Sequence, residues 1–405
     1  MRQRVAITGI GLISPLGDTV TSVFDAAIAG RSAIALWAEE SRPPAALARA
    51  PFDAARWFTR LQLAGVDRVS QMAVAAGVLA RADAGLTQLS ETAGVYVGTG
   101  MGGAAAIEQA YVNWHGGKRV PPLSIPAFMP NAPAAHLAMR EKVHGPVYTY
   151  SMACASAAVA IAEAARAIGR GDIDSALAGG SEASLVPGVL GAWQSLQTLA
   201  PPGNDAASAC RPFSSDRNGL VLGEGAAFLM LESMDAAVAR GARVYAELAG
   251  SGFSCDATHL TKPDAAGQVR ALTAALRDSG LAPTDVGYCN AHGTATLAGD
   301  LVECDALGRV WGDAVDQLQV SSTKAVHGHL LGAGGGLEAA ITALAVHHRT
   351  LPPSMHCPTQ DPQCSIRLVD SAHTQAPALR AAISNSFAFG GSNVVLVFKR
   401  VELAT

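Results

Sequence analysis

Short apolar runs rich in alanine and β-branched residues alternate along the chain with longer stretches of helical period, and many of the short runs end in glycine. Short runs of this kind read as buried strands, and strands alternating with helices predict mainly parallel sheets covered by helices. The order of features occurs twice. Each copy opens with a strand and a glycine pair, at 5–11 and again at 246–252. Each continues to a strand that ends in a Gly/Thr loop, at 94–100 and 288–294. Next comes a reactive side chain at the head of a long helix of small residues: Cys154 before 155–167, and His329 before 330–345. Each copy closes on apolar strands, 219–231 and 383–398. The pattern predicts a duplicated α/β unit, with a half at 1–240 carrying the cysteine and a half at 241–405 carrying the histidines. The small-residue helices would lie between two mainly parallel mixed sheets, giving α/β/α/β/α layers. Strand-end loops of both halves would then meet at one site, where α/β folds place their chemistry.

Composition narrows the class. Of 405 residues 49% are hydrophobic and 15% charged, which suits a globular chain with a large interior. A formal charge of −4 lacks the basic excess expected of a nucleic-acid binder. No stretch approaches the roughly 18 to 20 apolar residues of a membrane span, and the start has no apolar signal-peptide core. Seven dispersed cysteines (154, 210, 255, 289, 304, 357 and 364) form no C-x-x-C pair. They read as reduced thiols in a cytoplasmic protein.

Cys154 follows the strand-like run 147–150 and opens an alanine-rich helix. A helix N-terminus offers unpaired N–H groups and the positive end of the dipole, so a lowered thiol pKa is expected there. A lone buried cysteine is more often inert, so partners are required. Three later segments supply them. Residues 290–296 bring His292, Thr294 and Thr296, and residues 321–329 bring Lys324, His327 and His329. Residues 385–393 form a glycine turn around Phe389 and Gly390 whose amides suit an oxyanion hole. Glu338 lies nine positions beyond His329 in an apolar helix, where it needs a partner such as Lys324. His327 and His329 have no further ligands at metal-site spacing, so no metal is expected. The run 98–103 matches G-x-G-x-x-G, yet no acid occurs between Glu108 and Glu141, so no dinucleotide is expected.

The segments 153–156, 290–294, 324–333 and 385–391 together resemble the β-ketoacyl-[acyl carrier protein] synthases, nearest the elongating type with a Cys-His-His site. The likeness is collinear from Val5 to about Lys399. It implies the thiolase fold and a decarboxylative condensation that extends a fatty-acid or polyketide chain by two carbons, with no cofactor. By resemblance Cys154 carries the acyl group, His292 and His329 serve decarboxylation, and Lys324 and Glu338 support them. The amides of Cys154 and Phe389 form the oxyanion hole, Phe389 with Gly390 forms the gate, and Thr294 and Thr296 hold pantetheine. Met101 and Trp193 line the acyl pocket, and Trp193 suggests a short or flat, unsaturated chain. Arg68, Lys118 and Arg119 dock an acyl carrier protein. Ala388 replaces a common glycine in the gate loop, and His327 adds a third imidazole. A homodimer is expected, or a heterodimer with a chain-length partner lacking the nucleophile. A degradative thiolase would have another cysteine in the final loop, where this chain has Phe387, Ala388 and Phe389.

Overall fold

The computed structural model describes residues 2–38 and 43–401. Five strands of the large sheet come from the first half: β1 (Val5–Ile13), β2 (Gly94–Gly98), β3 (Val147–Tyr150), β4 (Ser175–Glu182) and β5 (Gly225–Ser233). Five come from the second: β6 (Ala246–Cys255), β7 (Tyr288–Asn290), β8 (Gln319–Ser321), β9 (Ala381–Ala388) and β10 (Ser392–Lys399). Their spatial orders, β3-β2-β4-β5-β1 and β8-β7-β9-β10-β6, match element for element. The duplication read from the apolar pattern is therefore a duplication of topology.

Six helices complete the layers: α1 (Arg68–Asp83), α2 (Ala132–Glu141), α3 (Ser156–Arg170), α4 (Ala265–Ser279), α5 (Leu297–Trp311) and α6 (Gly334–His348). Helices α3 and α6 pack on each other and on strands of both halves, and α6 is buried from Gly334 through Val346. Small side chains make this central layer possible. A Cβ on Gly335 would lie 3.0 Å from the Ala158 Cβ and 2.8 Å from the Ser386 Oγ, so the helices approach to near backbone contact. Helices α1 and α2 cover the outer face of the first half around Met72, Leu137 and Phe228. Helices α4 and α5 cover the second around Leu272, Leu307 and Val395.

The layer order is as the sequence pattern predicts, but the sheets differ in two respects. Within the large sheet, parallel pairing among the described residues joins β3-β2-β4 and β8-β7-β9 with the short edge strand Arg367–Leu368. The rest is antiparallel, because β9 and β10 form a hairpin and β5 returns between β4 and β1. The halves are also not separate sheets. Hydrogen bonding between β1 and β6, at Ala6–Glu247 and Ile7–Ala246, joins them into one eleven-stranded sheet that bends around α3 and α6.

Candidate active site

Cys154 sits in a single 3₁₀ turn, Ala153–Ala155, between β3 and α3. Ala153 takes a φ of +46°, which costs free energy in a residue with a Cβ and marks a held backbone. Ser156 holds it: its Oγ accepts from the Met152 N–H at 2.8 Å and donates to the Ala153 carbonyl at 2.7 Å. Gly98 lets β2 lie directly beneath this turn, since a Cβ there would fall 2.2 Å from the Ser156 carbonyl carbon.

His292 follows β7, and α5 fixes its loop. The buried Glu303 carboxylate accepts from the N–H groups of His292 (2.9 Å) and Gly293 (2.8 Å) and from the Asn385 side chain (2.9 Å). His329 is clamped by its own main chain, which donates to the Val221 carbonyl at 2.6 Å and accepts from the Gly223 N–H at 2.8 Å. These anchors bring one donor atom each of Cys154, His292 and His329 within 4.8 Å of one another. The imidazoles stand edge to face with centroids 5.3 Å apart. His292 Nδ1 and both His329 ring nitrogens are buried without a partner among the described residues, and both rings border a cavity of about 410 Å³.

The charges of this site are set behind it. Lys324 Nζ meets Glu338 Oε1 at 2.5 Å with both side chains almost wholly buried. Burial pushes Glu338 up, and the ammonium opposes that. Burial, the Lys324 charge and the neighbouring ring hold His292 well below the usual imidazole range. Burial, Lys324 and His327 do the same to His329. Both rings are therefore neutral near pH 7, able to donate from one nitrogen and accept at the other. Three donors at this separation also invite a metal ion, but the nearby ammonium opposes a second cation.

Cys154 departs from expectation. Burial pushes its thiol up to about 12, against the pull of Lys324 and of the Phe389 N–H, with Glu338 and Glu182 adding to the rise. The helix-end effect is thus outweighed by desolvation and two buried carboxylates, and the resting species is the thiol.

Other positions divide. Thr294 and Thr296 line the cavity with their hydroxyls 3.0 Å apart, and Thr296 also caps α5 by accepting from the Gly299 N–H. Phe389 borders the same cavity as Cys154, and its N–H pulls the thiol's value down. Gly390 is corrected: its N–H donates to the Leu260 carbonyl at 2.7 Å, so it supplies a left-handed turn (φ +87°) rather than an oxyanion donor. His327 is corrected too. Its nitrogens lie 2.7 Å from the Gly328 carbonyl and 3.0 Å from Thr323 Oγ1, which leaves none for the site. Met101 does not border the cavity of Cys154; it lines an outer groove beyond Trp193, which borders both. Arg68 is no free docking cation, because Glu224 takes it in a fork at 3.0 and 2.7 Å and the Ala50 carbonyl takes a further bond. Lys118 and Arg119 are exposed and form no ion pair among the described residues.

Among the buried acids that the sequence reading did not single out, Glu303 and Glu182 shape this site. Glu182 accepts from the N–H groups of Gly100 (2.7 Å), Met101 (3.2 Å) and Gly332 (3.1 Å). It thereby occupies the glycine loop at 98–103, whose amides would otherwise suit a phosphate. The available signal was an acid ending an apolar strand, and an acid one helical turn beyond Asp300 just after the His292 loop.

A thiol and two imidazoles meeting at one cavity make a candidate acyl-transfer site. The models of the β-ketoacyl synthase N-terminal and C-terminal domains match residues 2–237 and 245–358. The chain is similar to 3-oxoacyl-[acyl-carrier-protein] synthase 2 of Staphylococcus aureus, 37% identical over 99% of both chains. It is 41% identical to nodulation protein E of Rhizobium meliloti over 99% of this chain and 100% of that one. Among solved structures it superposes on the ishigamide ketosynthase/chain length factor with a TM-score of 0.92 and 31% identity, covering 99% and 100% of the two chains. The chain belongs to the β-ketoacyl synthase family, and its fold is the thiolase fold.

Proposed function

We propose that the chain condenses an acyl group held on Cys154 with a malonyl thioester, lengthening a fatty-acid or polyketide chain by two carbons. The carrying observation is the buried meeting of one thiol with two neutral, unpartnered imidazoles beside the Phe389 amide. In the first step Cys154 Sγ attacks the thioester carbonyl of the incoming acyl group. Its proton passes through an imidazole to the departing pantetheine sulfur, so both rings are neutral again afterwards. The N–H groups of Cys154 and Phe389 stabilise the tetrahedral oxyanion. In the second step the malonyl group loses CO₂. The electron pair of the broken C–C bond forms an enolate whose oxygen takes hydrogen bonds from His292 and His329. The enolate carbon attacks the acyl carbonyl and expels the Cys154 thiolate, which takes a proton from solvent through an imidazole. Residues of this chain suffice for each step without a metal or redox cofactor.

The substrates would arrive on an acyl carrier protein, as the name of the Staphylococcus relative suggests, with Thr294 and Thr296 holding the pantetheine arm and Lys118 and Arg119 meeting the acidic carrier. No helix among the described residues is long and apolar enough to cross a membrane, and a cytoplasmic location accords with the free cysteines. Strand β3 ends the sheet with Val147 and Tyr148 exposed beside Met152, an apolar edge suited to pairing with a second chain. That partner is either a second copy or a chain-length subunit like the one named with the ishigamide ketosynthase. Intact mass spectrometry after incubation with acyl-carrier proteins tests the core reading. Wild type gains one acyl mass and Cys154→Ala gains none; an adduct persisting on the variant refutes the assignment.

A further inference from the structure

Helix α4 turns Ala265, Gln268, Ala271, Leu272 and Ala275 inward, and Gln268 is the one polar side chain of that row. It is 1% exposed and borders the cavity of Cys154, and its Oε1 is buried without a hydrogen-bond partner among the described residues. An unpaired buried amide oxygen is costly, and buried polar groups are nearly always satisfied. Its neighbours cannot satisfy it, because they are already engaged. The adjacent Gly267 lies directly on Asp256 and Asn393, where a Cβ would fall 2.9 Å from the Asn393 Nδ2. That Nδ2 donates to Asp256 at 2.7 Å, and Asp256 also accepts from the Asp264 N–H at 3.1 Å. The Glu303 carboxylate, on the same cavity, is taken by His292, Gly293 and Asn385. Outside the imidazoles, the other unpartnered atom on the wall among the described residues is Thr198 Oγ1. It belongs to a half-buried residue, and a hydroxyl rotates to suit its surroundings.

We propose that Gln268 accepts a hydrogen bond from a secondary amide of the substrate's pantetheine arm, and so makes the site selective for amide-bearing thioesters. The inference rests on the condensing reading above and adds, from a separate helix, a contact to those of Thr294 and Thr296. Chemistry selects the ligand. An unpaired oxygen needs a donor, yet the reacting parts of both substrates, an acyl thioester and a malonyl carboxylate, only accept. The arm that brings the thioester to Cys154 carries two secondary amides, each with one N–H. An amide entering the cavity leaves its water behind, so its N–H needs an acceptor as much as Gln268 needs a donor. Pairing satisfies both groups. An apolar side chain at 268 would leave the arm's N–H unpaired, which weakens transfer from such a donor by about 5- to 100-fold. The free protein gains nothing from the unpaired oxygen, so its removal should not weaken the fold.

The test compares wild type with Gln268→Met, close in shape but without the amide, and with Gln268→Leu, which guards against an effect of packing at one variant. Four butyryl thioesters are the probes. Ethanethiol has no amide, N-acetylcysteamine has the inner one, N-acetyl-β-alanylcysteamine has both, and pantetheine adds the hydroxyls. Acylation of Cys154 is timed by intact mass over a range of concentrations, and each donor's rate is divided by that of the ethanethiol ester. The proposal requires this ratio to fall about 5- to 100-fold in both variants for a donor with amides and no hydroxyl. A fall already present with N-acetylcysteamine assigns the inner amide, and one that begins with N-acetyl-β-alanylcysteamine assigns the outer. It also requires that neither variant unfold at a lower temperature than wild type. Equal loss on all four donors, or no change, means that Gln268 does not read the arm, and overturns the proposal. A fall with pantetheine alone gives the contact to a hydroxyl and overturns it too, as does a lowered unfolding temperature with the ratio intact. Failure of wild type to load from any donor would instead remove the condensing reading, and this inference with it.

Discussion

Removing the Lys324 ammonium exposes how the site balances its buried charges. At 2.5 Å from Glu338 and an effective dielectric near 20, the pair attracts by about 7 kcal/mol. Burying each ion costs several kcal/mol, so the intact pair is close to balance. Lys324→Met leaves Glu338 with its desolvation cost and without its partner, an expected loss of about 3–5 kcal/mol. The double variant Lys324→Met/Glu338→Leu removes both charges and should recover most of that loss. Urea unfolding followed by circular dichroism measures all three variants. The sign of the pH dependence sharpens the test. In Lys324→Met, burial alone raises the folded-state pKa of Glu338, so the folded chain binds its proton more tightly than the unfolded chain does. Stability is then retained below the unfolded carboxyl value and lost as pH rises through the folded one. The penalty should be smaller at pH 5 than at pH 8. A penalty below about 1 kcal/mol, or one equally large at both pH values, would refute this account of the pair.

Four further outcomes follow from the same geometry. Because His292 and His329 are held well below the usual range, their neutral forms persist as pH falls, and the acid limb of malonyl decarboxylation should lie below about pH 6.5; half-loss at that value would contradict it. Gly98→Ala should destabilise the fold by at least about 1–3 kcal/mol in thermal or urea unfolding, because its Cβ meets the backbone at the head of α3 rather than a movable side chain. Charge reversal at Lys118 and Arg119 should raise KM for carrier-bound substrates and spare small thioesters, with equal loss on both counting against docking. The same reversal at Arg68 should cost stability instead, since it breaks the fork to Glu224.

Much of the site was legible because it is written in local cues. A cysteine heading an alanine-rich helix, a His-Gly-Thr turn after a strand, and a Lys to His segment before a glycine-rich helix each declare themselves within ten residues. Their recurrence in the same order also announced a duplicated fold. The tertiary structure alone decided what depends on partners far along the chain. Arg68 reads as a surface cation until Glu224, 156 positions away, takes it. The thiol reads as activated by its helix until burial and two carboxylates from other elements outweigh that effect. Met101 and Trp193 read as one pocket around the thiol until the fold leaves Met101 in an outer groove, with Trp193 between that groove and the cavity of Cys154. Local backbone preferences act between neighbours and leave periodic traces. Desolvation, ion pairing and enclosure arise only when distant segments exclude water together, and they leave no such trace.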